Sequence, residues 1–223
     1  MRLALPPATI RTHMSLPLRF ADGYATTCRA FTFHGLIDGR EHLALGLGDR
    51  ARAAADTLPA AGVPLVRPHS ECLTGDVFGS QRCDCGGQLR EAVERIATAG
   101  GYLLYLRQEG RGIGLYAKLE AYELQDTGLD TYEANLALGR AEDEREYSVV
   151  AQMLEALGVS EVRLLSNNPA KATAMARLGV TVAERIPTAV HLSADNICYL
   201  MTKARRGAHT LDMSRLAAAG DGG

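Results

Sequence analysis

The sequence predicts an α/β fold: a mixed sheet flanked by helices, with a more antiparallel N-terminal part. Three observations lead there. Short β-like runs appear from Leu16 to Gly48 and are separated by the turn pairs Asp22-Gly23 and Asp38-Gly39. Beyond Cys85 the apolar residues switch to helical spacing, in segments that alternate with brief strand-like runs. One such run, Tyr102 to Leu106, opens into a glycine-rich loop followed by another helical segment, the order expected of an α/β protein.

Residues 1–15 read as a flexible arm, broken early by Pro6 and Pro7. Tyr24 to Phe33, rich in Thr and aromatics, and the apolar His42 to Leu47 read as strands. Asp49 to Gly62 is alanine-rich, with Pro and Gly near its end, and reads as a surface excursion. Val63 to Arg67 is a strand that leads into a cysteine motif. Leu89, Ala92, Val93, Ile96 and Ala97 recur at helical spacing, and Gly100-Gly101 ends that helix. Further helices are expected over Leu115 to Asp126 and Tyr147 to Leu157, with a strand over Glu161 to Ser166. Asn168-Pro169 starts a helix reaching Leu178, because Asn suits the N-cap and Pro the first helical position. Val180 to Ile186 is the last strand. The main domain is thus expected over 16–210, with a disordered tail over 211–223 and no internal repeat.

The 223 residues carry a formal net charge of −2, which gives no electrostatic support to nucleic-acid or membrane-surface binding. The N-terminus lacks the apolar core of a signal peptide, and no stretch is long enough to span a bilayer. Three of the five cysteines cluster at metal-ligand spacing, which suits a reducing compartment, so a cytoplasmic protein is expected.

Those three are Cys72, Cys83 and Cys85, spaced Cys-x10-Cys-x-Cys between His69 and Gly86. Ordinary buried cysteines pack as small hydrophobes. Here the neighbours are polar or glycine: His69-Ser70-Glu71 precedes the first, and Arg82, Asp84 and Gly86-Gly87 surround the others. A structural zinc usually takes four protein ligands, whereas a catalytic zinc takes three and leaves one position for water or substrate. Three cysteines without an obvious fourth ligand therefore point to a hydrolytic Zn²⁺. Cys28 and Cys198 lie alone among apolar and aromatic residues and read as packing residues.

A second centre is the loop Arg107-Gln-Glu-Gly-Arg-Gly-Ile-Gly114. Its glycines let backbone approach phosphates, the following helix N-terminus favours anions, and Arg107 and Arg111 can bind phosphate bidentately. It lacks the Gly-Lys-Ser/Thr ending of a Walker loop and the spacing of a dinucleotide fingerprint. Read alone, the acidic run Ala141 to Glu146 is a solvated helix start, and Lys171 a surface lysine.

Together these segments closely resemble GTP cyclohydrolase II, the enzyme family that opens riboflavin biosynthesis, over about Leu16 to His209. The most specific parts are His-Ser-Glu-Cys-Leu-Thr-Gly-Asp (69–76), Arg-Cys-Asp-Cys-Gly (82–86), the loop 107–114 and Leu-Gln-Asp (124–126). Asp-Thr-Tyr-Glu-Ala-Asn (130–135), Asp-Glu-Arg (143–145) and Asn-Asn-Pro-Ala-Lys (167–171) add to it. The resemblance implies that Cys72, Cys83 and Cys85 hold zinc. It places GTP against Arg67, Pro68, His69, Ser70, Glu71, Gln88, Glu109, Gly110, Arg111, Thr131, Ser166 and Lys171. It makes Asp143 a proton acceptor, Arg145 a nucleophile and Tyr122 a catalytic tyrosine, which reverses the bland readings of the acidic run and of Lys171. Two positions depart from the pattern: Pro68 where a β-branched residue is common, and Ser166 where threonine is usual.

The implied reaction converts GTP to a diaminopyrimidine ribosyl phosphate, formate and pyrophosphate, with Mg²⁺ on the triphosphate. Glu71 and Tyr122 are the candidates for proton transfer at the base. For Arg145 a phosphate clamp oriented by Asp143 stands beside the nucleophile, because a guanidinium stays protonated to about pH 12 and above. A homodimer is expected, since members are commonly dimers. A variant that stops at the formamide stage is the alternative outcome. A zinc nucleobase deaminase is the competing enzyme class, since His69-Ser70-Glu71 satisfies His-x-Glu; it departs in having Cys-x-Cys where those enzymes carry Pro-Cys-x-x-Cys. A non-enzymatic zinc module would need a fourth ligand and a basic face.

Overall fold

Among the described residues seven strands form one sheet, in the order β1-β2-β3-β5-β4-β6-β7. They are β1 (Thr9–Arg19), β2 (Ala25–His34), β3 (Leu43–Leu47), β4 (Leu65–Ser70), β5 (Gly101–Leu106), β6 (Glu161–Leu165) and β7 (Thr181–Ile186). The computed structural model describes residues 5–52, 62–141, 143–193, 196 and 200. Pairing is antiparallel from β1 through β2 and β3 to β5, and parallel among β4, β6 and β7. The expected mixed sheet with an antiparallel N-terminal part is therefore present.

The helices are α1 (Leu73–Asp76), α2 (Cys85–Ala99), α3 (Leu115–Asp126), α4 (Thr131–Ala137), α5 (Ser148–Ala156) and α6 (Pro169–Arg177). The chain divides into two compact units. The first comprises the described residues up to His69, Arg90–Arg107 and Tyr147–Thr188, and contains the sheet with α5, α6 and most of α2. The second comprises Ser70–Leu89, Gln108–Glu146 and the described residues from Ala189 onward, with α1, α3 and α4.

In the first unit, Val66, Leu104, Leu106, Val162 and Leu164 pack against Val149, Val150, Met153 and Leu154 of α5 and Met175 of α6. Alternation along the strands turns Leu65, Leu103 and Leu165 to the opposite face, and all three are buried too. Burial on both faces is why these strands read as continuous apolar runs. Gly101 is required by close packing: a Cβ there would collide with the Leu65 backbone.

Residues 9–15, expected within a loose arm, lie in β1 and pair with Arg29 to His34 of β2. Nearly every β1 side chain is exposed, so the strand carries no alternating hydrophobic pattern to read, and backbone hydrogen bonds hold it. The turns at Asp22-Gly23 and Asp38-Gly39 form as expected, with Gly23 and Gly39 at φ 89° and 66°. The helix α4 was not expected, although Asp130 and Glu133 form a complete capping box at its start. Cys28 is fully buried in β2, and burial pushes its thiol up, as befits a packing residue. Cys198, most of the Asp49–Gly62 excursion and the tail 211–223 lie outside the described residues.

Candidate functional site

The second unit gathers three sulfurs. Cys72 precedes α1, Cys83 sits in the following loop and Cys85 opens α2. Their Sγ atoms all lie within 4.8 Å of one another, with Cys72 and Cys83 3.6 Å apart. A tetrahedral zinc with Zn–S bonds of about 2.3 Å needs sulfurs about 3.8 Å apart. The spacing of the three sulfurs thus fits a zinc ion. Gly75 makes the approach possible: a Cβ there would stand 2.8 Å from the Cys83 sulfur and 3.1 Å from that of Cys72. Gly86 in turn clears the Gly75 carbonyl.

Cys72 and Cys83 share charge unevenly. Hydrogen bonds from Cys83 and Cys85 hold the Cys72 thiol far below its ordinary range, against burial and with help from the Lys118 ammonium. Cys83 is pushed up to about 11, chiefly by its hydrogen bond to Cys72. Metal binding at such a set must expel the proton that Cys83 keeps.

Lys118 of α3, which the sequence reading did not single out, stands directly behind this cluster. It is buried and donates to Cys72 Sγ at 3.1 Å, Thr74 Oγ1 at 2.9 Å and Glu109 Oε1 at 2.8 Å. Burial alone would lower it, but Glu109 and the Cys72 charge outweigh that and hold the ammonium above its ordinary value. Glu109 is a bracket: Oε1 also accepts from the Gly110 N–H at 3.0 Å, and Oε2 accepts from the Leu73 N–H at 2.6 Å. Tyr122 lies one turn beyond Lys118, its ring 5.6 Å from that ammonium and 5.0 Å from the Arg82 guanidinium. Burial pushes the Tyr122 hydroxyl up, against the opposing Lys118 charge and a hydrogen bond with Thr74.

The glycine-rich loop turns sharply. Gly110 and Arg111 both adopt left-handed backbone, at φ 61° and 60°. Arg111 is the one non-glycine residue with positive φ among the described residues, a strain that accompanies functional loops. Its guanidinium stacks 4.5 Å above the Tyr132 ring, and its carbonyl accepts from the Glu144 N–H at 2.9 Å. A Cβ on Gly112 would come within 2.8 Å of the Glu144 backbone, so the loop and the Asp143–Arg145 segment need that glycine to meet. Arg145 pairs with Asp143 through Nε at 2.8 Å and through Nη2. Burial alone would raise Asp143, but Arg145 and then Arg111 outweigh it and hold the carboxyl below its ordinary value.

Of the remaining expected residues in this unit, Ser70 accepts from Gln108 Nε2 at 3.1 Å, Gln88 donates to Asp84, and Thr131 opens α4. Glu71 lies between Ser70 and the Cys72 ligand. The first unit holds its own group. Arg67 is buried with Nη1 on the Leu165 carbonyl at 3.1 Å, and His69 stacks on Tyr105 at 5.6 Å. Buried Lys171 donates to the Pro68 carbonyl at 3.0 Å, and Ser166 Oγ accepts from the Asn168 N–H at 3.1 Å.

Residues 13–187 match the profile of the family described as GTP cyclohydrolase II. The chain belongs to the GTP cyclohydrolase II family. The GTP cyclohydrolase-2 of Vibrio cholerae is 50% identical over 182 residues, covering 82% of this chain and 88% of that protein. That of Pseudomonas fluorescens is 52% identical, covering 83% and 89%. That of Pseudomonas syringae pv. tomato is 49% identical, covering 92% and 94%. A two-domain 3,4-dihydroxy-2-butanone 4-phosphate synthase from A. baumannii superposes with a TM-score of 0.40 at 20% identity. That match covers 82% of this chain but 41% of the other, too loose a likeness to argue from.

Within this GTP cyclohydrolase II member, Lys118, Thr74 and Gly75 stand against the sulfur cluster without having been singled out by sequence reasoning. Lys118 had one usable signal: it precedes Tyr122 by four residues and so shares its helical face. Among the described residues no helix is long and apolar enough to cross a membrane.

Proposed function

We propose that this chain hydrolyses GTP with zinc and Mg²⁺, opening the guanine imidazole ring and releasing formate and pyrophosphate to leave a diaminopyrimidine ribosyl phosphate for riboflavin biosynthesis. The observation that carries the reading is the three-sulfur cluster in a chain of this family, since three ligands leave a position for chemistry. Zinc held by Cys72, Cys83 and Cys85 would supply a water of lowered pKa. Tyr122, kept protonated by burial, holds a proton that it can give to the nitrogen departing from carbon 8 of the base. Glu71, beside the Cys72 ligand, accepts a proton in that exchange.

At the triphosphate, Arg111 and Arg145 supply fixed positive charge for the leaving pyrophosphate, beside the Mg²⁺ that the nucleotide brings. The ion pair with Asp143 favours Arg145 as a clamp, because a guanidinium so held stays cationic and donates. Trapping a phosphorylated Arg145 peptide would instead establish attack by Arg145. Gln88, Glu109, Gly110, Thr131, Ser70, Arg67, Pro68, His69, Ser166 and Lys171 are assigned to binding and orienting the nucleotide. A cytoplasmic homodimer completes the reading, with mass by light scattering as its check.

The test is incubation of zinc-loaded protein with GTP and Mg²⁺, with formate, pyrophosphate and the ring-opened product assayed together. Equal release of all three is expected. Pyrophosphate without formate identifies the variant that stops at the formamide, and ammonia in place of formate identifies a deaminase.

A further inference from the structure

Three thiolates on a divalent zinc leave the cluster with one net negative charge, and sulfur donation weakens the ion as a Lewis acid. A buried cation touching one of those sulfurs addresses both effects. We propose that Lys118 is the positioning residue of the metal site: its ammonium draws charge from the Cys72 thiolate and pins the metal loop to the glycine-rich loop. This rests on the zinc reading above.

The geometry is specific. Lys118 Nζ has three donors and three acceptors in reach: Cys72 Sγ at 3.1 Å, Thr74 Oγ1 at 2.9 Å and Glu109 Oε1 at 2.8 Å. The acceptors come from the ligand loop, from α1 and from the start of the glycine-rich loop, and Lys118 itself from α3. Glu109 completes the bracket, because its other oxygen holds the Leu73 N–H next to the Cys72 ligand. A lysine serving only to pair with Glu109 would not need a sulfur contact. Hydrogen bonds to ligand sulfurs tune metal sites elsewhere, and the partners behind a ligand commonly change metal affinity or activity 10- to 100-fold.

Cobalt(II) substitution provides a readout separate from turnover. The energy of the sulfur-to-cobalt charge-transfer band reports electron density on the thiolates, and a hydrogen bond to sulfur raises it. In full-length cobalt-loaded protein, Lys118→Met is expected to move this band to lower energy and to weaken zinc about tenfold or more in chelator competition. Lys118→Gln, which keeps an N–H donor without the charge, is expected to move it in the same direction by less; it also serves where the Met variant fails to fold. An unchanged band energy in a folded variant overturns the proposal even if metal affinity falls, since loss of structure alone weakens binding without retuning sulfur. Wild-type protein that gives no charge-transfer band sinks the zinc reading, and this proposal with it.

Discussion

Gly75 and Asp143 show how single residues set the site. At Gly75 a methyl group would press on two sulfurs at once, and a backbone-bound Cβ cannot swing away. Gly75→Ala is therefore expected to lose most bound zinc while the sheet of the first unit keeps its circular-dichroism signal, with metal content by elemental analysis as the check. Asp143 has a carboxyl depressed by Arg145. A depressed folded value means that the pair's contribution is complete above the ordinary carboxylate range, about pH 4, and is lost as pH falls through the lower value. In an NMR titration Asp143 is expected to titrate below free aspartate, and Arg145→Ala to raise it. A wild-type Asp143 that titrates like free aspartate contradicts this. The clustering of the cysteines and the closeness of Arg145 to Asp143 were legible because their spacing is local. Lys118 was not, because nothing in a helical Leu-Tyr-Ala-Lys run announces a sulfur partner 46 residues earlier.

At the scale of elements, backbone satisfaction explains both what was read and what was missed. Asn168 accepts from the Ala170 N–H at 2.9 Å and Pro169 opens α6, the start expected from those two residues. The same chemistry operates at α4, where the Asp130 side chain takes the Tyr132 and Glu133 N–H groups and Glu133 returns the bond. Its Asp-x-x-Glu signature was present but passed over, since α4 has only seven residues and little hydrophobic periodicity. Asp130→Ala is expected to destabilise the protein by about 1 kcal/mol in denaturant titration. The strand β1 escaped notice for the complementary reason: exposed edge strands are held by hydrogen bonds that any side chain permits.

For the whole molecule, the two compact units divide the structure into a sheet-bearing part and a part with the sulfur cluster. The first unit has an apolar core drawn from strands and helices, whereas the cluster is ringed by charged and hydroxyl groups. Metal held by the cluster is therefore expected to contribute unequally to the two. Chelation is expected to lower amide protection over 70–89 and 108–146 while β4, β5 and β6 retain theirs. Equal loss in both units would show that the metal stabilises the chain as one cooperative block.

Family membership, the α/β alternation and the clustering of Cys72, Cys83 and Cys85 were determined by the sequence by itself, because composition, spacing and capping chemistry act within a few residues. The insertion of β5 between β3 and β4, the buried Lys118 behind Cys72 and the meeting of Gly112 with Glu144 were decided only by the tertiary structure. Those contacts join segments distant in the chain. Their partners are selected by burial and close packing summed over the folded unit, terms that no local pattern contains.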